Sequence, residues 1–159
     1  MNKLLKASAM ALSLMVTTIS VGTAMPSRTE AAISSTTGSR IVTTAKSYIG
    51  DVDYRFGTRD ASRLIFDCSS FTQFILKKHG ISVPWSSREQ AKEGNWISKS
   101  KLRAGDLVFF SVGTPGRIDH VGIYVGNGKF ISNTRSAGVV ITSMTSGYWE
   151  DRYITGRRL

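Results

Sequence analysis

Two residue types in this sequence can do covalent chemistry on a carbonyl, and both are scarce. There is one cysteine, Cys68, and there are two histidines, His79 and His120. A thiolate attacks an amide carbon, and an imidazole within reach takes up a proton and returns it to the leaving amine. A lone cysteine cannot close an internal disulfide. It is a buried apolar residue, an intermolecular link or a reactive thiol, and its context has to decide.

The context of Cys68 is the start of a helix expected over residues 68–79. Asp67 precedes it as N-cap, and Phe66 and Phe71 occupy the positions of a hydrophobic staple. Lys77, Lys78 and His79 fall in the last turn, where positive charge suits the dipole, and Gly80 follows as the terminating residue. Unpaired N–H groups and the positive end of the dipole favour an anion at the helix start. Cys68 is therefore expected as an exposed, activated thiolate. The same N–H groups can receive the oxyanion of a tetrahedral intermediate. The bland alternative is a small apolar residue that happens to begin a helix.

Of the two histidines, His79 lies eleven residues along the same helix, about 16 Å away at about 1.5 Å per residue. It reads as a helix C-terminal residue. His120 opens the segment His-Val-Gly-Ile-Tyr-Val, which alternates as a strand. His120, Gly122 and Tyr124 share one face, and Val121, Ile123 and Val125 share the other. The alternative here is an exposed histidine at a strand end.

These residues need a scaffold. Residues 1–31 combine Lys3 and Lys6, a short apolar run and small residues near Ala24 and Ala31, which is the pattern of a secretory signal peptide. Residues 32–39 read as a flexible leader, and residues 40–159 as one catalytic domain. A short helix is expected over 40–49 and a weaker one over 86–93, with 51–66 irregular. Strands follow, at 107–111, 120–125, 130–133, 139–142 and 154–158. Helices first and strands second give an α+β class, with N-terminal helices packed on an antiparallel sheet. Gly126-Asn127-Gly128 marks a hairpin turn.

The net charge is +10 for the whole chain, and +8 once residues 1–31, with Lys3, Lys6, Arg28 and Glu30, are removed. An exported basic domain tends to collect on polyanions, such as wall phosphate polymers, carboxylate-rich peptidoglycan or anionic lipid; a solvated basic surface is the bland alternative. No basic helix or aromatic-basic platform argues for nucleic acid. The scattered His and Cys residues do not match metal-ligand spacing, so no metal and no cofactor are expected.

Three ordered motifs carry a resemblance. Asp67-Cys68-Ser69-Ser70-Phe71, Leu102-Arg103-Ala104-Gly105-Asp106-Leu107-Val108-Phe109-Phe110 and Asp119-His120-Val121-Gly122-Ile123-Tyr124 resemble the corresponding segments of NlpC/P60 cysteine peptidases. The resemblance spans about residues 40–158. It implies a papain-like α+β fold and a secreted, wall-associated, monomeric enzyme. That enzyme would hydrolyse amide bonds in peptidoglycan stem peptides, between D-γ-glutamyl and a diamino acid. Cys68 would be nucleophile and His120 base. A wall-peptide binding module with little turnover, acyl transfer to an amine, and hydrolysis of poly-γ-glutamate are the alternatives.

The resemblance also points to Tyr54, Ser69 and Ser87 as substrate-side residues, with Arg88 and Gln90 beside Ser87. It is broken at one place. Where relatives carry a third polar residue, usually His, this chain has Phe130-Ile131-Ser132-Asn133. A two-residue Asn127-Gly128 turn would set Gly122 opposite Asn133 and put Asn133 on the face of His120. A three-residue loop with a bulge at Gly128 would set Gly122 opposite Ser132. Ser132 is the choice made here, with Asn133 the alternative.

Overall fold

The structure is a computed structural model that describes residues 33–159. The expected signal peptide, residues 1–31, lies outside the described residues.

The chain begins with helix α1, Ser35–Lys46. Residues 35–39 are thus helical, which corrects the expectation of a flexible leader over 32–39. Ser-Thr-Thr-Gly-Ser has weak helix propensity, but two features outweigh it. The Ser34 side chain accepts the Thr37 N–H, and Gly38 lies against the backbone of Ala104 and Gly105, so closely that a Cβ at either glycine would collide. Ile41, Val42 and Ala45 fill the buried stripe.

Residues 51–66, expected to be irregular, hold a small sheet of β1 (Asp53–Tyr54), β2 (Arg59–Asp60) and β3 (Ile65–Phe66), in the order β1-β3-β2. Helix α2, Cys68–Lys77, follows at once. A single turn of helix, α3, spans Ser87–Gln90. The remaining strands are β4 (Asn95–Ile97), β5 (Leu107–Phe110), β6 (His120–Gly126), β7 (Lys129–Thr134), β8 (Gly138–Ser143) and β9 (Tyr153–Arg158). They form one antiparallel sheet in the order β4-β9-β5-β6-β7-β8.

Alternation along these strands makes two cores. Leu107, Phe109, Val121, Ile123 and Ile131 face the helices and pack with Ile41, Phe71, Ile75 and Leu76. Val108, Phe110, Phe130 and Met144 face the other way. There they meet Trp149 and Tyr153, Trp149 being in a 3-10 helix, Gly147–Arg152. Helix α2 packs across β6 and β7, which brings its N-terminus to the strand that begins with His120.

Candidate active site

Hydrogen bonds fix the first turn of α2. The Asp67 carboxylate accepts the Ser70 N–H at 2.7 Å, and the Ser70 hydroxyl accepts the Asp67 N–H at 2.9 Å. The Ser69 hydroxyl and the Trp85 indole N–H also donate to Asp67, at 3.0 and 3.1 Å. From the other side, the buried amide of Gln90 donates to the carbonyls of Ser69, Pro84 and Trp85, at 2.9, 2.8 and 3.2 Å. The expected cap and staple are present, with Phe66 and Phe71 in edge contact. The Trp85–Asp67 and Gln90–Ser69 ties have no local sequence signal, because they join residues 18 and 21 positions apart.

Cys68 itself is 7% exposed. Burial pushes its thiol up to about 11, aided by the Asp67 carboxylate. The N–H groups of Val121, Ser69 and Cys68 pull the other way without prevailing. This corrects the expectation of an exposed thiolate: the helix start aims its dipole at the sulfur, but removal of water outweighs the dipole. The contact with Val121 matters for another reason, since it sets the sulfur beside the residue that follows His120.

His120 is 6% exposed. Its Nε2 lies 3.0 Å from the Ser132 hydroxyl. Strand register explains the meeting. Ile123 pairs with Ile131 and Tyr124 with Phe130, which continues to Gly122 opposite Ser132. Gly122 leaves that face open, and a Cβ there would collide with Phe130 and crowd Ser132. The register arises differently from the loop envisaged. Asn127 and Gly128, both at positive φ, make a two-residue turn between paired Gly126 and Lys129, and Val125 bulges out of the ladder. Asn133 points to the opposite face, where its amide donates to the carbonyls of Phe66 and Asp53 at 2.9 and 3.3 Å. It ties β7 to the small sheet and does not reach His120.

Burial pushes the His120 imidazole down to about 4, with the neighbouring Asp119 acting in the opposite sense. Asp119 accepts the N–H groups of Val112 and Gly113. In the tautomer that leaves Nδ1 open to a thiol proton, Nε2–H donates to Ser132. His79 stays apart, its Nε2 2.9 Å from the Thr44 hydroxyl, where it joins α2 to α1.

Two adjoining cavities flank the pair and share Tyr54 and Asp119. One, of about 390 Å³, is lined by Cys68, Ser69, Phe56, Trp85, Ser87 and Arg88. The other, of about 700 Å³, is lined by His120, Thr134, Arg135, Tyr148 and Trp149. Tyr54 is half-buried, and its phenol is raised by burial and by nearby Cys68 and Asp67. Tyr54, Ser69 and Ser87 thus all reach the cleft, although the Ser69 hydroxyl is engaged by Asp67. Sequence reasoning missed Arg135 and Trp149, which lie in segments without periodic pattern. Among the described residues no cluster of His, Cys, Asp or Glu is placed to hold a metal ion, and no helix is long and apolar enough to cross a membrane.

A sequence model of the NlpC/P60 family matches residues 51–158. The chain is 43% identical over 109 residues to the murein DD-endopeptidase MepS/murein LD-carboxypeptidase of Escherichia coli K12, covering 68% of this chain and 56% of that protein. It is 36% identical over 138 residues to the gamma-DL-glutamyl hydrolase of Bacillus subtilis, covering 86% of this chain and 33% of that protein. Its structure superposes on that of an NLP/P60 family protein, similar to lipoprotein, from Staphylococcus aureus Mu50. The TM-score is 0.68 at 32% identity, over 79% of this chain and 42% of that one. The chain spans about half the length of the Escherichia coli relative and a third of the Bacillus subtilis one.

Proposed function

The chain belongs to the NlpC/P60 family, and from this premise we propose that it is an exported cysteine peptidase acting on peptidoglycan stem peptides. The observation that carries the reading is the meeting of Cys68, at a capped helix start, with the strand that carries His120, whose far nitrogen is held by Ser132.

Both groups rest neutral, with the thiol high and the imidazole low. His120 therefore takes the thiol proton as the sulfur attacks, rather than holding a preformed ion pair. A C–S bond forms, and the carbonyl oxygen becomes an oxyanion that the N–H groups of the α2 start can receive. The intermediate collapses, the C–N bond breaks, and imidazolium gives its proton to the leaving amine. Water, deprotonated by His120, then attacks the thioester carbon; the C–S bond breaks and the imidazolium returns its proton to the Cys68 sulfur. Ser132 orients the ring throughout.

This order of events assigns the two cavities. The acyl part of the substrate lies on the Cys68 side, with Tyr54, Ser87 and Arg88. The leaving amine lies on the His120 side, where Arg135 faces the same space as the imidazole. The bond we assign is that between D-γ-glutamyl and a diamino acid. The similarity to a gamma-DL-glutamyl hydrolase over 86% of this chain favours poly-γ-glutamate as a second substrate. Anionic wall polymers are assigned to the basic surface.

The test is incubation of residues 32–159 with purified muropeptides, cross-linked and uncross-linked, and with poly-γ-glutamate. Mass spectrometry of the products identifies the new ends. A free γ-glutamyl carboxylate paired with a free diamino-acid amine is the expected result. Cleavage confined to cross-links would move the assignment to the DD bond, and no cleavage of any polymer would remove it. Export is checked by N-terminal sequencing of protein from culture fluid, with a start after Ala24 or Ala31 expected.

A further inference from the structure

Trp149 lines the cavity on the His120 side, and no step of the peptidase reading rests on it. Its ring is stacked on that of His120, with centroids 4.8 Å apart and planes inclined at 29°. The indole is itself locked. Phe110 and Phe130 meet it edge-on at 5.1 and 5.2 Å, and Tyr148 meets it at 5.0 Å. The 3-10 helix that carries it is anchored at its end, where the Ser111 N–H donates to the Arg152 carbonyl at 2.9 Å. Three aromatic rings of the second core, Trp149, Phe110 and Phe130, thus meet the His120 ring, with centroids 4.8, 6.3 and 6.4 Å away.

We propose that Trp149 is a positioning residue for His120: it covers the His120–Ser132 hydrogen bond from water and presents an aromatic face to the ring when that ring becomes positively charged. The proposal rests on the reading of His120 as the base. Its physical motive is the third residue. A carboxylate beside the imidazole would both orient it and offset its charge, whereas Ser132 is neutral and offers one hydrogen bond. Asp119, the carboxylate next in sequence, already accepts two backbone N–H groups. An indole face against a desolvated cation is the strongest of the aromatic–cation contacts. A single hydroxyl bond is also easily exchanged with solvent unless it is covered.

The test compares Trp149→Leu and Trp149→Phe with the parent in the mature chain, residues 32–159. Leucine keeps the burial and removes the aromatic face; phenylalanine keeps both in reduced form. Turnover on the best muropeptide substrate is expected to fall about tenfold in kcat for the leucine variant, with KM within twofold, and about threefold for the phenylalanine variant. Independently of activity, the His120 Nε2–H proton is expected as a slowly exchanging downfield NMR signal in the parent. It should persist in the phenylalanine variant and broaden by fast exchange in the leucine variant, while the His79 ring signals stay unchanged. Parent-like kcat and a parent-like Nε2–H signal in the leucine variant would overturn the proposal. If that variant does not fold, a phenylalanine variant with wild-type kcat and exchange rate would overturn it equally. A shielded Nε2–H that is lost in the leucine variant, in a protein that cleaves no wall peptide, would uphold the positioning and reject the peptidase reading.

Discussion

The two sides of the cleft hold their key residues by opposite means. On the helix side, directional hydrogen bonds among Asp67, the Ser69 and Ser70 hydroxyls, the Trp85 indole N–H and the Gln90 amide lock the first turn of α2. On the sheet side, His120 has one side-chain hydrogen bond and a wall of aromatic rings. In the proposed reaction such directional bonds suit a nucleophile whose angle of attack matters, and they hold the backbone N–H groups of the α2 start in place beside the sulfur. Packing suits a ring that, in the proposed cycle, becomes charged and neutral again twice. The wall against the ring is uncharged, and burial outweighs the neighbouring Asp119 carboxylate, so the ring is held neutral by dehydration. The nucleophile side should therefore fail abruptly when altered, and the base side in steps.

The sharpest break is Cys68→Ala. Turnover should fall by about a thousandfold or more, because the chain has no other thiol and the Ser69 and Ser70 hydroxyls beside it are engaged with Asp67. The thermal midpoint should change little, since alanine fits a position that is already small and buried. The measurement is kcat/KM with the melting curve beside it, and parent-like turnover would place the nucleophile elsewhere.

Acid should act next, through the base side. The His120 imidazole is held down to about 4 in the fold from 6.5. Between those values the unfolded chain binds a proton that the folded chain refuses, so stability is lost as pH falls from 6.5 toward 4. In His120→Gln that part of the slope should vanish. Urea denaturation at intervals from pH 7 to 4 reads it, and equal slopes in both proteins would contradict the buried neutral ring. The thiol, raised to about 11, works at the other end: at pH 8 iodoacetamide should alkylate native Cys68 more slowly than the unfolded thiol. Faster native reaction would restore the activated thiolate.

Ser132 and Asn133 give a smaller and more selective contrast. Ser132→Ala should lower kcat about tenfold, the equivalent of one hydrogen bond, and cost about 1 kcal/mol of stability. Asn133→Ala should cost more stability and spare kcat: it loses its bonds to Phe66 and Asp53, about 2 kcal/mol, with kcat in the folded protein nearly intact. Exchange of those two outcomes would mean that the register has been misassigned.

The smallest effect belongs to the rim. Arg135 is exposed on the leaving side, so Arg135→Ala should raise KM only about two- to fivefold for a substrate whose leaving residue carries a carboxylate. The amidated counterpart should bind both proteins alike. An equal KM change for the two substrates would remove Arg135 from recognition.

Much of this was written in local sequence. Asp67, Ser70, Phe66 and Phe71 are within five residues of one another, so cap and staple announce the start of α2 and put Cys68 on it. Alternation from His120 to Val125 likewise assigns His120 a face, and Gly126-Asn127-Gly128 assigns the turn. What local sequence could not supply was anything summed over distance. The Val125 bulge, which chose Ser132 over Asn133, depends on how the whole hairpin twists against β5 and β8. Residues 35–39 became helix because Gly38 found the backbone of Ala104 and Gly105, a contact between segments more than sixty residues apart. Trp149 reaches His120 from a 3-10 helix with no periodic signature. The charge state of Cys68 went the same way. A dipole is a property of the helix and can be read from its first turn, whereas desolvation is a property of everything packed around the sulfur, and it decided the outcome.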